Sequence, residues 1–495
     1  MAEEGLAGGR QRGADGELRS SRRAFLRHAS TLAFAALSPT LLATPVAAHG
    51  APTRGPGPRV LTRDHGHEIA QAWIRRIFLR VRADGYAPTG SAPSGQQNAD
   101  GFDHLQGFTP TSAARLYAYA GIAMYEAVVG GMHAHRSLAG QLTGMPTMPS
   151  AHPATRHDWP TALSAAVAGT ASSLFTRQAS RQDIDAFHIA QVRARREAGV
   201  PAATIAASLA HGEAVASALR PWIDADGYTD VRRRAAEHGY TPPTGPGLWQ
   251  PTPPSFAPAL EPYWSGIRPF VLRSAGEVTP DPPVPFSEER GSPFHGEALR
   301  TYQAGLVLTA EQRSVARFWA DNPLQSGLPP GHWMLTVGQV AAQRSLQLDV
   351  TVEALARTGI ALADALLSCW HCKYMLNVLR PVTYVQAHID PSWLPLMSTP
   401  PFPEYTSGHS VSSVAAAVVL TDLLGSFPYA DRHDLVGDLA DAERTRHFAS
   451  FLHAAEEAAQ SRIYGGIHFP MGVEAGKDQG REVGRIVLAR VRSRR

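Results

Sequence analysis

Three short stretches in the last third of the chain carry side chains suited to holding a tetrahedral oxyanion and moving a proton beside it. In the first, Lys373 precedes Arg380-Pro381 by seven residues. Seven residues are two helical turns, so a continuous helix would put both cations on one stripe about 10 Å apart, able to converge on one anion. By itself such a pair is usually a solvated face, here with Leu376 and Leu379 burying part of the helix. The second stretch, Phe402-Pro403-Glu404-Tyr405-Thr406-Ser407-Gly408-His409, runs into the apolar segment Val411 to Leu424. A helix start presents unpaired N–H groups, and Ser407 with Gly408 can complete a cradle there, although Ser407 also suits a plain N-cap. His409, in the first turn, lies at the positive helix end, which lowers its pKa and poises it to give and take protons. The third stretch, Ser461-Arg462-Ile463-Tyr464-Gly465-Gly466-Ile467-His468, ends a helix in two glycines that allow a turn a Cβ would obstruct. It delivers His468 six residues after Arg462. Alone, His468 reads as a core histidine beside a helix end.

In combination and in this order, Lys-x6-Arg-Pro, Ser-Gly-His and Ser-Arg-x5-His resemble the three-part signature of the type-2 phosphatidic acid phosphatase and vanadium-dependent haloperoxidase superfamily. Trp370, Phe402, the Phe318-Trp319-Ala320-Asp321 run, Pro329-Pro330 and Trp249-Gln250-Pro251-Thr252-Pro253-Pro254 further resemble bacterial haloperoxidases, and the likeness spans roughly Arg115 to Val491. The resemblance implies vanadate as cofactor, with hydrogen peroxide and halide as substrates. It makes His468 the metal ligand, or in a phosphatase the nucleophile, and His409 the acid–base group. Lys373, Arg380 and Arg462 would neutralise the anion's oxygens, with the Ser407 hydroxyl and the Gly408 N–H completing the cradle. Trp370 and Phe402 would form a halide-side wall, closer to that of chloroperoxidases than of bromoperoxidases. Asp321 is a further candidate, as partner to one of the cations.

Vanadate mimics the trigonal-bipyramidal state of phosphoryl transfer, so one site can serve two chemistries. A metal-free acid phosphatase acting on phosphate esters is therefore the alternative, and an inactive oxyanion-binding protein a second. One position departs from the phosphatase pattern: Gly472 stands four residues after His468, where those enzymes usually carry an aspartate that orients the imidazole. Glu474, Asp478 or a backbone carbonyl are the available substitutes, and the departure weighs against a phosphohistidine mechanism.

The elements that must position these groups read as helices. Apolar residues recur at helical spacing from Arg115 to Val129 behind Thr109-Pro110-Thr111. Ser180 opens another helix, closed by Gly199 and Pro201, and an Ala-rich one runs on towards Leu219. Thr309-Ala310-Glu311-Gln312 is a capping box. Further helices are expected over Val337 to Gln347, Val352 to Tyr374, Val411 to Leu424, Arg444 to Ser461 and Glu474 to Val491. Between Pro242 and Pro293 lie 14 of the 39 prolines, with Trp249, Trp264, Phe270 and Phe286 among them. That density forbids regular structure, and the aromatics argue for an ordered connection laid over a packed surface. The expected fold is all-α, helical bundles of the haloperoxidase and acid phosphatase type joined by this connection. The expected division is a leader over 1–48, an extension with one helix over 49–104, a bundle over 105–222, the connection over 223–300 and a site-bearing bundle over 301–495.

Composition agrees with a folded chain of 495 residues, 44% hydrophobic and 18% charged. The formal net charge is +3, and six arginines against four acids before residue 28 account for two of those charges. A near-neutral body argues against a nucleic-acid surface. Ser21-Arg22-Arg23-Ala24-Phe25-Leu26, a moderately apolar run and Val46-Ala47-Ala48 resemble a twin-arginine export signal, with a periplasmic or extracellular destination implied. No later stretch has the length of a membrane span. Cys369 and Cys372, the only cysteines, read best as packed helix residues, with a local disulfide open to them. Oligomeric state is not legible in the sequence.

Overall fold

The structure, a computed structural model, describes residues 60–86, 107–437 and 439–495, all within one compact unit. The twin-arginine segment expected over 1–48 lies outside the described residues. The helices in chain order are α1 (Glu68–Ala83), α2 (Pro110–Val128), α3 (Trp159–Leu174), α4 (Gln178–Glu197), α5 (Ala202–Asp224), α6 (Tyr228–His238) and α7 (Pro293–Leu306). They continue as α8 (Ala310–Phe318), α9 (Leu328–Gln343), α10 (Leu348–Leu376), α11 (Pro381–His388), α12 (Gly408–Leu424), α13 (Phe451–Tyr464) and α14 (Pro470–Arg490). The expected caps hold: Thr109 and Thr309 close capping boxes with Ser112 and Gln312, and Gly425 ends α12 at φ 88°.

Helix α10 is buried along nearly its whole length, lying against α2 on one side and α12 on the other. Glycine makes the first contact close: a Cβ on Gly121 would stand 2.8 Å from the Leu355 carbonyl oxygen, and one on Gly359 would stand 2.9 Å from Ala118 Cα. The contact between α12 and α14 is built likewise. Gly472, Gly476, Gly480 and Gly484 recur every four residues, one face of a helix, and all lie against the Glu404 to Val418 stretch. At Gly480 a Cβ would sit 2.3 Å from the Val411 carbonyl oxygen. This near-contact of two backbones fixes the height of the α12 N-terminus against the end of α13.

From Pro242 to the start of α7 the proline-rich connection is ordered, with only a single 3₁₀ turn, Trp264–Gly266, and with Trp249, Trp264 and Phe270 buried, while α6 and the first turns of α7 occupy the two ends of the 223–300 range expected for it. Its backbone cannot satisfy itself, so α10 satisfies it. The Asp364 carboxylate accepts from Phe270 N at 2.8 Å and from Val271 N and Leu272 N at 2.7 and 2.9 Å. Ser368 Oγ donates to the Val278 carbonyl, and Tyr374 Oη to that of Leu260. Asp364→Ala strands three buried N–H groups and should cost about 3 kcal/mol, read from urea unfolding.

Two expectations are corrected. Residues 444 to 461 are not one helix: Thr445–Phe448 pairs antiparallel with Tyr429–Arg432 as a two-stranded ribbon, and the helix begins only at Phe451 after Ser450, whose hydroxyl accepts from His453 N. Thr445 and Phe448 favour the extended state, and Ser450 offers a better cap than any residue before it. Nor do Lys373 and Arg380 share a helix. Helix α10 stops at Leu376, Asn377 takes a left-handed conformation at φ 48°, and Arg380 precedes α11 as its N-cap. Both cysteines are buried free thiols. Among the described residues no helix is long and apolar enough to cross a membrane.

Candidate active site

The three stretches meet at the N-terminus of α12. The break after Leu376 turns Arg380 inward, and neither it nor Lys373 is exposed. Arg380 Nε donates to the Phe402 carbonyl at 2.8 Å, while Nη1 donates to the Ile467 carbonyl at 2.8 Å and lies 3.3 Å from His468 Nε2. One guanidinium thus ties the first stretch to both others. Lys373 Nζ donates to the carbonyls of Pro403, Glu404 and Thr406 at 3.0, 2.9 and 2.5 Å. All three ammonium protons are committed to the loop, so Lys373 clamps the second stretch and contributes charge, not a free donor. Burial lowers its pKa to about 8.

Ser407 caps α12, accepting from Ser410 N at 3.4 Å, and leaves its own O–H free to donate. The cap and the cradle are therefore compatible, because the first-turn N–H groups, including that of Gly408, have no partner within the helix. His409 is partly exposed at its side chain (16%), whereas His468 is buried (3%). Arg462, at the end of α13, is buried and presents Nη1 3.2 and 3.1 Å from the two His409 ring nitrogens, with Nη2 donating to Met397 Sδ. Both imidazoles are held well below the ordinary histidine pKa. Burial is the first cause for each, with Arg462 next for His409 and Arg380 next for His468. The helix end expected to depress His409 is thus not the leading cause. Trp370 and Phe402 lie 4.9 Å apart between ring centroids, and the Phe402 ring faces Lys373 Nζ at 5.1 Å and Arg380 Cζ at 4.9 Å. They form a wall under the cations.

Asp321 belongs to this neighbourhood. Its Oδ2 is 3.9 Å from His409 Nε2, and its field acts on Arg462. Behind it, His332 Nδ1 and Nε2 reach Asp321 and Asp431, each at 3.0 Å, while Trp319 stacks on the His332 ring and His433 Nε2 abuts it. Burial would push the Asp321 carboxyl up, but His332, with His433 and His409, outweighs it and holds it at about 2. Burial would lower His332, but Asp321 and Asp431 together outweigh it and lift it to about 10. Asp321, His332 and His433 bring metal-ligand atoms within 4.8 Å of one another. Both His332 nitrogens already point at carboxylates, however, so the group reads as a buried ion-pair network.

His433, by burial first and the His332 charge second, stays neutral down to about 4. The unfolded chain takes up that proton first, so this stability is whole above about pH 6.5 and drains as pH falls towards 4. The urea midpoint should fall between about pH 7 and about pH 5, and fall less in His433→Asn.

The sequence reading gave Glu404 no role, and it is the buried acid nearest His468. Its Oε1 accepts from His468 Nδ1 at 2.7 Å and from Phe469 N at 3.0 Å. Glu474 and Asp478, offered as substitutes for the aspartate absent at Gly472, instead pair with Lys477 and Arg481 on the outer face. Burial raises the Glu404 carboxyl to about 7 against the pull of Lys373 and Arg380. The clue lay inside the quoted second stretch, five residues before His409. His332, Asp431 and His433 left no such trace, because the packing of the Tyr429–Arg432 strand on α9 brings them together across about a hundred residues.

No curated protein matches this chain. A family described as the VCPO second helical-bundle domain matches residues 353–495. A solved structure described as the first bacterial vanadium-dependent iodoperoxidase is 34% identical, with 87% of this chain and 97% of that one covered at a TM-score of 0.75. A holo-type bacterial vanadium-dependent chloroperoxidase (14% identity, 83% and 98% covered, TM-score 0.59) shares the fold. So does the apo-type (15%, 78% and 95%, TM-score 0.58).

Proposed function

Since the chain belongs to the vanadium-dependent haloperoxidase family, we propose that it uses bound vanadate to oxidise a halide with hydrogen peroxide. One observation carries the reading: Arg380 Nη2 and Arg462 Nε are buried, have no partner among the described residues, and belong to the cations grouped around His468. Buried guanidinium donors left unpaired are costly, and a bound oxyanion would satisfy them. The residues therefore fit vanadate. His468 Nε2 would bind the metal, and Arg380 and Arg462 would donate to its oxygens with the Ser407 hydroxyl and the Gly408 N–H. Lys373 would add charge through the loop it clamps. When bound, vanadate supplies the Lewis-acid centre that activates hydrogen peroxide for two-electron oxidation of a halide.

The remaining work falls to this chain's side chains. His409, neutral near pH 7 and the more exposed imidazole, takes a proton from hydrogen peroxide and returns one to product. Arg462 fixes the ring on one side, and the Asp321 carboxylate stabilises the imidazolium formed on the other. Trp370 and Phe402 keep water from the cation side of the cradle.

The test uses purified protein with orthovanadate, hydrogen peroxide and iodide, bromide or chloride. Iodide comes first because it is the halide that names the 34% identical relative. Halogenation of a phenolic dye that requires vanadate supports the reading. Hydrolysis of a chromogenic phosphate ester without vanadate would replace it with the phosphatase, and neither activity would leave an anion-binding protein.

A further inference from the structure

We infer that Glu404 and Gly472 act as a matched pair in which Glu404 is the positioning residue for His468 and the bare backbone of Gly472 is what admits it. The inference rests on the reading of His468 as the group facing the anion, and it concerns which ring nitrogen faces that way.

The proton arrangement follows from geometry alone. Arg380 can only donate, so His468 Nε2, 3.3 Å from its Nη1, must present a lone pair. The proton of the neutral ring is then on Nδ1, and Glu404 Oε1, 2.7 Å away, accepts it. Phe469 N donates to the same oxygen, which keeps that oxygen an acceptor whether the carboxyl is ionised or not. One acceptor held by two donors thus fixes both the tautomer and the ring plane. Without it, Arg380 would still require a lone pair on whichever nitrogen faces it, but nothing in the described contacts would stop the ring from turning Nδ1 to that place with its proton on Nε2.

Glu404 has no exposed surface, and its position is set from both sides. Its backbone N donates to the Val378 carbonyl at 2.9 Å, and its own carbonyl accepts from Lys373. The carboxylate fills the space a side chain at residue 472 would occupy: a Cβ there would lie 2.4 Å from Oε1 and 2.6 Å from Oε2. A side chain at 472 would displace the Glu404 carboxylate from the place where it meets His468. The site thus takes its acid from the loop before α12, and position 472 is empty of side chain because that acid fills its place.

The test has a readout that needs neither vanadate nor turnover. In ¹⁵N-histidine-labelled protein, the His468 ring, assigned by the resonances lost in His468→Asn, should show the Nδ1–H tautomer. It should keep that state in Glu404→Gln, whose amide oxygen can still accept, and lose it in Glu404→Ala. Vanadate affinity by titration calorimetry should fall roughly 10- to 100-fold in Glu404→Ala and far less in Glu404→Gln. Gly472→Ala should weaken vanadate binding in the parent by displacing Glu404, yet add little to Glu404→Ala. Gly472→Asp placed on Glu404→Ala should recover part of the loss by supplying a carboxylate in the vacated space. Should Glu404→Ala fail to fold, Gly472→Ala and the tautomer of the unaltered protein still decide. An unchanged tautomer and affinity in Glu404→Ala, or in Gly472→Ala if the former does not fold, would overturn the pair. So would a Gly472→Ala penalty of equal size in both backgrounds. A protein that shows these effects but oxidises no halide keeps the pair and loses the haloperoxidase reading; the reverse result separates them the other way.

Discussion

His468→Ala should bring vanadate-dependent halide oxidation to background, a loss of roughly a thousandfold or more. Removing a single oxyanion donor from a site of this kind costs about 10²- to 10³-fold, and His468 is the proposed ligand on which the cofactor's position would depend. The fold should survive. Arg380 keeps its bonds to the Phe402 and Ile467 carbonyls, and Glu404 keeps Phe469 N, so the three stretches stay tied without the imidazole. The measurement is steady-state oxidation across a vanadate titration, with thermal unfolding as control. Full activity in a folded His468→Ala protein would remove the site from its assigned place. Activity restored by high vanadate would instead make His468 an aid to binding and not the ligand.

Gly480→Val should be the most damaging substitution outside the site. The new side chain would meet the Val411 carbonyl oxygen at 2.3 Å and its carbon at 3.0 Å, backbone atoms one turn into α12 that cannot rotate away. The two helices must separate, at a cost of about 3 kcal/mol. Function should fall further than stability accounts for, because α12 carries Ser407, Gly408 and His409 at its end. A shift near 1 Å in such groups can cost about 10²-fold. Unfolding midpoints and activity at a temperature where the variant is fully folded distinguish the two effects. A variant as stable and active as its parent would mean that the α12–α14 contact does not set the site.

The residues that cluster in the candidate site were legible because the chemistry proposed for them needs particular types at short spacing. Arg462 and His468 are joined by one turn of chain, and Ser407, Gly408 and His409 are adjacent. Local grammar also announced α2, α8 and α12 through Thr109, Thr309 and Gly425. Helices α3, α6, α7 and α11 were missed. α3 is apolar nearly all round and buried, so it has no polar face to give it a helical period. The four-residue glycine repeat of α14 was present in the sequence and went unread, since its meaning depends on the helix it touches.

What the sequence determined by itself was the inventory: a helical chain, three anion-friendly stretches in a fixed order, and a proline-rich connection too rigid to be a helix. What only the tertiary structure decided was pairing. It put Glu404 behind His468 where the sequence suggested Glu474 or Asp478, spent all three Lys373 protons on carbonyls, and drew His332, Asp431 and His433 behind Asp321. The physical reason is that residue type and local spacing reflect backbone propensity, which acts within a turn or two. Which buried donor meets which acceptor depends on how closely helices approach, and here glycines at four-residue intervals set that distance.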